Sequence, residues 1–304
     1  TQSPSSAASD VYKRQIDYQT FGSTSNIDQL VVDKKYSFFN PKAGLNYDIN
    51  QKNKIYFSLS KAHREPTRSD FENNINIQPE ELIDYELGWK YNSEKFFFNS
   101  NLYYMGYKNQ LVLTGALDDV GSPIRENSGK SYRTGIELES VYKATNKLNI
   151  SANISFSENK NVDYKTNYNG VITDWGDTDI SFSPNVISSA GIQFNASQDL
   201  TFALLNKFVG NQYMSNTESN ISKLSSYSTT DLNILYTIKN SAYFSEIIFT
   251  AMINNIFNKE YVSNGYYYTY DDTWSDPNLI TTIEGTGYYP QAKRNFLLGL
   301  TFKL

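Results

Sequence analysis

Residues 294–304 read Arg-Asn-Phe-Leu-Leu-Gly-Leu-Thr-Phe-Lys-Leu. Every second position from Phe296 is large and apolar: Phe296, Leu298, Leu300, Phe302 and Leu304. Between them stand Asn295, Leu297, Gly299, Thr301 and Lys303, mostly small or polar. A period of two marks a strand with one apolar and one wet face. A strand with no later partner must lie at an edge or close onto an earlier strand. An exposed apolar edge aggregates, whereas closure into a barrel removes it. A surrounding membrane explains an outward face that is greasy.

The same alternation recurs upstream. Ile83, Tyr85, Leu87, Trp89 and Tyr91 oppose Asp84, Glu86, Gly88 and Lys90. Leu148, Ile150, Ala152, Ile154 and Phe156 oppose Asn149, Ser151, Asn153, Ser155 and Ser157. Ile136 and Ile234 share the apolar register of their segments, while Glu137 and Asp231 take the polar one. The pattern predicts strands at about 36–49, 54–63, 82–92, 95–112, 131–144, 148–160, 186–196, 200–210, 227–238, 247–264 and 293–303, with a ragged partial one near 16–22. A soluble sandwich would alternate too. The connections discriminate. Short turns at 51–53, 93–94, 145–147, 197–199 and 239–245 alternate with long polar loops at about 64–81, 113–130, 161–185, 211–226 and 265–292. Short on one side and long on the other is the outer-membrane barrel arrangement.

Composition agrees. The 304 residues include 25 Tyr and 18 Phe, yet the mean hydropathy is −0.53. That combination suits a transmembrane barrel with aromatic girdles and a polar lumen. Cysteine is absent, which removes disulfides and thiolate metal sites. No apolar run reaches the roughly 18 residues of a spanning helix. A net charge of −5 argues against nucleic acid as a partner. Residues 1–15 (TQSPSSAASDVYKRQ) match no strand pattern and are expected to be a non-native or disordered leader, leaving 16–304 as barrel.

Five segments resemble, in order, motifs of the TonB-dependent outer-membrane receptors. Pro41-Lys42-Ala43-Gly44-Leu45-Asn46-Tyr47 resembles "PKAGLxY", and Arg64-Glu65-Pro66-Thr67-Arg68 resembles "REPTR". Glu81 to Gly88 resembles "ELxxYELG". Asn255-Ile256-Phe257-Asn258-Lys259-Glu260-Tyr261 resembles "NLFNKxY", and Tyr288 to Phe296 resembles "YYPQAGRNF". Lys293 stands where Gly is usual, and Leu304 replaces the usual terminal Phe, the side chain that barrel-insertion machinery reads. The resemblance implies an all-β antiparallel barrel of roughly 22 strands, of which this chain carries the C-terminal eleven or twelve as an open, curled sheet. It implies an N-terminal plug and a segment coupling to the TonB energising complex, both expected upstream of these residues. It further implies uptake of a scarce ligand such as an iron–siderophore complex. A glycan importer of the same family and a passive or structural barrel are the alternatives.

Catalysis finds no support. The single histidine, His63, rules out a His-based triad or a two-His metal site within the chain. No cofactor is implied. Asp174, Asp177 and Asp179 beside Trp175, and Asp271, Asp272 and Asp276 beside Trp274, are spaced acids without a full calcium-loop signature. Aromatics crowd at Tyr261, Tyr266, Tyr267, Tyr268, Tyr270 and Trp274, partly as an interface girdle. The expected ligand surface is Tyr267, Tyr268, Tyr270, Trp274 and Trp175, with Arg64 or Arg68 as charge anchor, because a guanidinium matches carboxylates. The competing reading pairs those arginines with Glu65, Asp70 or Glu72.

Overall fold

The structure, a computed structural model, describes residues 6–23, 29–117, 123–168, 171–239, 243–272, 274–275, 279 and 281–304. The strands are β1 (Ser6–Gly22), β2 (Leu30–Asn50), β3 (Asn53–Arg64), β4 (Glu80–Asn92), β5 (Phe96–Lys108), β6 (Leu111–Leu117), β7 (Pro123–Asn127), β8 (Lys130–Lys143), β9 (Leu148–Tyr168) and β10 (Val171–Asp179). They continue with β11 (Val186–Asn195), β12 (Leu200–Val209), β13 (Gln212–Tyr213), β14 (Lys223–Leu224), β15 (Tyr227–Lys239), β16 (Glu246–Asn254), β17 (Val262–Asp272), β18 (Thr281–Pro290) and β19 (Asn295–Lys303). One short helix, α1 (Arg68–Asn73), follows β3.

Twelve strands build the wall, an antiparallel sheet in the order β1-β2-β3-β4-β5-β8-β9-β11-β12-β15-β16-β19. The sheet is open: β1 and β19 each have one neighbour. Side chains close its short turns. Asn50 Oδ1 accepts from the backbone N–H groups of Lys52 at 2.9 Å and Asn53 at 3.0 Å. Ser93, Thr145 and Ser197 do the same through their hydroxyls for Phe96, Leu148 and Leu200. These are the local bonds that make Asn, Ser and Thr turn formers.

Cross-strand pairing places the alternation in rows. Leu45, Phe57, Leu87, Leu102, Ile136 and Phe156 lie opposite one another across six strands. Another row runs Phe96, Tyr142, Ile150, Ile192, Leu204, Leu232, Ile253 and Phe296. Opposite residues share a face, so one side of the wall is continuously apolar. The other side carries Gly88, Asn101, Glu137 and Ser155 in one row, and Ser58, Glu86, Tyr103 and Gly135 in the next. Glu86 and Glu137 thus share the polar face, opposite to Trp89 and Ile136. Much of the wall's apolar side is exposed: Leu298 is 86% and Phe296 65% exposed.

Burial collects where the long connections fold back. Leu30, Val32, Phe71, Ile77 and Leu111 form one cluster, flanked by Tyr18 and Tyr36. Met214, Leu224 and Tyr267 form another, with Val262 against it.

Three expectations change. The chain is in strand from Ser6, paired to β2 from Ser6↔Asn46 to Gly22↔Leu30. A sheet edge bonds through the backbone, so β1 needs no alternating pattern to join it. The expected strand 247–264 breaks after Asn254, because Asn255 and Asn258 take φ of 52° and 54° and Asn255 ties itself to both backbone groups of Lys259. The long connections, read as loops, hold β6, β7, β10, β17, β18 and the outer part of β9. Of these, β18-β17-β6-β7 form a separate four-stranded sheet.

Candidate functional site

At the long-connection end, β1, β3, α1 and β7 converge on a cleft of about 420 Å³. Four arginines line it: Arg14, Arg64, Arg68 and Arg125. Each has a carboxylate partner. Arg14 pairs with Glu65. Arg64 reaches Glu80 at 3.2 Å, and Glu80 also accepts the backbone N–H of Leu111. Arg68 reaches Glu72 one helical turn on at 2.6 Å. Arg125 holds Asp70 at 2.9 Å.

These pairs are not equivalent. The Asp70 side chain is 1% exposed, and it also accepts from the backbone N–H and hydroxyl of Thr67, capping α1. Arg64 and Arg68 are 53% and 57% exposed. Exposed pairs contribute little to stability and exchange partners readily. The cleft therefore holds one buried ion pair, Arg125–Asp70, and three more exposed ones at Arg14, Arg64 and Arg68.

Beside it, the connections fold over the polar face. Asn159 and Asn161 continue the polar register of Ser155 and Ser157 on β9. Asn216 sits buried above them: its Oδ1 accepts from Asn161 at 3.1 Å and from the Ser181 N–H at 2.9 Å, and its Nδ2 donates to the Leu113 carbonyl at 2.7 Å. Arg133 joins the roof by donating to Ser183 Oγ at 2.8 Å and Asn159 Oδ1 at 3.2 Å. Below lies a cavity of about 290 Å³ that Glu86, Glu137 and Arg133 line.

The β17–β18 hairpin divides the expected aromatic cluster between two faces. Tyr267 points inward, 8% exposed, and donates to Glu284 Oε1 at 2.5 Å. Burial, then the Glu284 carboxylate, push its hydroxyl well above the ordinary tyrosine range. Tyr266, Tyr268 and Tyr270 occupy the other face, near-parallel, with centroids 6.2 Å and 6.3 Å apart. Trp274 continues the row 6.2 Å beyond Tyr270. Opposite glycines make room: a Cβ on Gly285 would stand 2.3 Å from the Tyr268 ring, and one on Gly287 2.3 Å from the Tyr266 ring.

Trp175 lies apart on β10, 42% exposed, with its indole N–H on Thr166 at 3.0 Å. His63 ends β3 stacked on Phe38 at 4.9 Å and shares Nδ1 with Asn40 at 2.7 Å and Nε2 with Glu81 at 3.3 Å. Asp174 pairs with Lys165, Asp179 with Lys160, and Asp177 accepts the Asp163 N–H. Asp272 accepts from the N–H groups of Trp274 and Ser275, and Asp276 lies outside the described residues. Among the described residues, no three His, Asp or Glu side chains converge as a metal site.

Sequence reasoning missed Arg14, Arg125 and Asn216, and it counted Tyr266 in the aromatic cluster but not in the expected ligand surface. The first three meet partners 51, 55 and 103 positions away, beyond any local signal. Tyr266 was visible: it shares the parity of Tyr268 and Tyr270, which Tyr267 does not.

The sequence matches the family described as TonB dependent receptor-like, beta-barrel, over residues 10–256. Among curated proteins, none matches. Three similar solved structures are the unliganded ferric citrate transporter FecA, the siderophore receptor PiuA from Acinetobacter baumannii and the copper transporter OprC. FecA gives a TM-score of 0.70 at 16% identity, over 97% of this chain and 42% of that one. PiuA gives 0.68 at 18%, over 92% and 38%, and OprC 0.68 at 16%, over 92% and 41%. The chain thus spans about two fifths of their length, and at such identities the likeness concerns the fold. The family match covers most of the chain, and the chain belongs to the TonB-dependent receptor β-barrel family.

Proposed function

We propose that the chain is the C-terminal part of an outer-membrane receptor of a Gram-negative cell. It takes up a scarce anionic ligand, an iron–siderophore complex, with energy from the TonB complex coupled through segments outside these residues. The apolar face meets lipid, and the polar face lines the interior. The carrying observation is the arginine-lined cleft at the mouth, where Arg64 and Arg68 are exposed and weakly committed. A planar guanidinium fork fits the carboxylate or catecholate oxygens of such a complex. Trp175 offers an exposed aromatic surface at the same end of the wall. Tyr267 is spent on holding the hairpin down. Catalysis has no part in this reading, since the family's members are receptors and transporters.

The test is uptake of radioactive iron from a panel of ferric siderophores by cells carrying the full-length receptor, with and without a working energising complex. At least one siderophore should be taken up only when that complex works. Replacing Arg64 and Arg68 together by Ala should weaken its binding to purified receptor about tenfold. Uptake that ignores the energising complex, or affinity unchanged in a folded double variant, contradicts the proposal.

A further inference from the structure

We propose that Lys108 and Lys130, on the apolar side of the wall at its long-connection end, hold the phosphate of a phosphorylated outer-leaflet lipid. The site lies outside the barrel, separate from the arginine cleft. Lys108 and Lys130 stand directly opposite each other across β5 and β8, in the apolar register of Leu102 and Ile136. Both are exposed. Like charges in that position destabilise a strand pair. The backbone nonetheless holds the two strand ends together. The Asn109 N–H donates to the Gly129 carbonyl at 2.5 Å, and the Ser128 N–H to the Gln110 carbonyl at 2.9 Å. Neighbouring lysines on the same side find carboxylates. Lys61 takes Glu81 at 3.0 Å, and Lys160 takes Asp179 at 2.7 Å. Glu81 also stands opposite Lys108, but Lys61 and His63 occupy it. Among the described residues, Lys108 and Lys130 enter no ion pair.

Three observations select the occupant. The first is side. Among the described residues of the wall strands, every lysine and arginine in the apolar register lies toward the long-connection end. At the short-turn end Lys54, Lys90 and Lys143 take the polar register instead. Cations thus face one leaflet only. The second is depth. Tyr85, Tyr104 and Tyr132 lie ring beside ring, with centroids 6.5 Å and 6.2 Å apart, where a girdle meets the bilayer interface. Lys130 is two residues beyond Tyr132, about 7 Å along the strand, and Lys108 is four beyond Tyr104, about 13 Å. Both ammonium groups therefore reach headgroup level rather than acyl chains. Between Tyr104 and Lys108 on this face stands Gly106, where a Cβ would come within 3.2 Å of the Tyr104 ring. No side chain blocks the space between the ring and Lys108. The third is charge. A phosphomonoester carries about −1.5 to −2 at neutral pH, which two lysines match, whereas a phosphodiester carries one charge. The site rests on the assignment of the apolar face to lipid, and it is independent of what the arginine cleft takes.

The test titrates the purified full-length receptor, in neutral-detergent micelles, with a diglucosamine lipid bearing phosphomonoesters. The same lipid after phosphatase treatment, phosphatidylglycerol and inorganic phosphate are the comparison arms, and native mass spectrometry reads binding. The phosphorylated lipid should bind more tightly than all three. Replacing Lys108 and Lys130 together by Gln should weaken it about tenfold. Lys108→Arg should keep most of the affinity, and Lys143→Gln all of it. Without lipid, the double variant should be at least as heat-stable as the parent, because it loses a repulsion. Equal binding of the phosphorylated and dephosphorylated lipids overturns the proposal, as does lipid binding indifferent to both lysines. So does phosphatidylglycerol or inorganic phosphate that binds as tightly as the phosphorylated lipid. Membrane fractionation keeps the two readings apart. A parent receptor absent from the outer membrane contradicts the lipid-facing wall itself. One that assembles there without lysine-dependent lipid binding contradicts this site alone.

Discussion

The side-chain amide of Asn161 on β9 donates to Oδ1 of Asn216 at 3.1 Å, and both residues are at most 1% exposed. Through Asn216 this one contact joins β9 to Leu113 at the start of β6 and to Ser181 after β10. Three connections that are far apart in sequence thus share one buried amide. Buried polar groups that lose a partner carry the full desolvation penalty, about 1–3 kcal/mol each.

Asn216→Ala should therefore open the roof without harming the wall. Hydrogen exchange on the full-length receptor should show faster exchange at 111–117, 179–185 and 212–224, while β8, β9 and β11 stay protected below the roof. Unchanged exchange in all three connections would show that packing, not the amide, holds them.

Arg125→Ala should loosen the segment after β3 far more than Arg68→Ala. Arg125 leaves behind Asp70, whose side chain is 1% exposed. Breaking a buried pair by removing one partner costs about 3–5 kcal/mol, and the lower end applies because Thr67 still donates to Asp70. Arg68 and Glu72 face solvent, and separating them should be close to neutral. Limited proteolysis between residues 65 and 79 reads the difference; equal susceptibility of the two variants would refute it.

The wall was legible in the sequence because its pattern is local. The strand expected at 82–92 is found at Glu80–Asn92, and that at 148–160 continues to Tyr168 only because β10 pairs with its outer part. Between residues 247 and 264 two local signals compete, and turn chemistry overrides alternation. Ile253, Asn255 and Phe257 keep the parity, yet Asn255 takes a left-handed φ of 52° and ends β16. The hairpins among the loops leave no local mark of their partners, because β6 and β17 meet each other and not the wall. The mouth was half legible. Arg68–Glu72 is an i, i+4 pair and readable. Arg64 instead found Glu80, 16 positions on. The division of Tyr267 from Tyr268 and Tyr270 follows from parity alone, given a strand there.

Charge placement on β19 should separate the two faces. Leu298 ends the row Phe194, Phe202, Ile234, Ala251 and Leu298, on the apolar side. Thr301 pairs with Ile248 on the other. Leu298→Arg should cost about 2–4 kcal/mol if that side meets the bilayer near its midplane, and Thr301→Arg much less. The readout is outer-membrane assembly of the full-length protein by heat-modifiability. Equal loss in both variants would contradict the assignment of lipid and lumen faces.

The Glu126–Tyr164 pair should give the outer hairpins a pH dependence of defined sign. Tyr164 is fully buried, beyond the last β8–β9 pair at Lys130↔Val162, and donates to Glu126 Oε1 at 3.3 Å. Burial raises the Glu126 carboxyl above its ordinary value, and the Tyr164 bond only partly offsets this. The folded hairpin therefore keeps a proton that the opened one releases. Stability is greatest below the ordinary carboxylate range, near 4.5. It falls as pH rises from there to the raised folded value, and is constant above it. Glu126→Gln keeps an acceptor for Tyr164 and removes the charge. Hydrogen exchange at 123–127 and 160–168 should be slower in Glu126→Gln than in the parent at pH 7, and alike in the two at pH 4 after correction for intrinsic rates. A variant that exchanges faster than the parent at pH 7 would mean that the ionised carboxylate, and not its neutral form, holds the hairpin to β9.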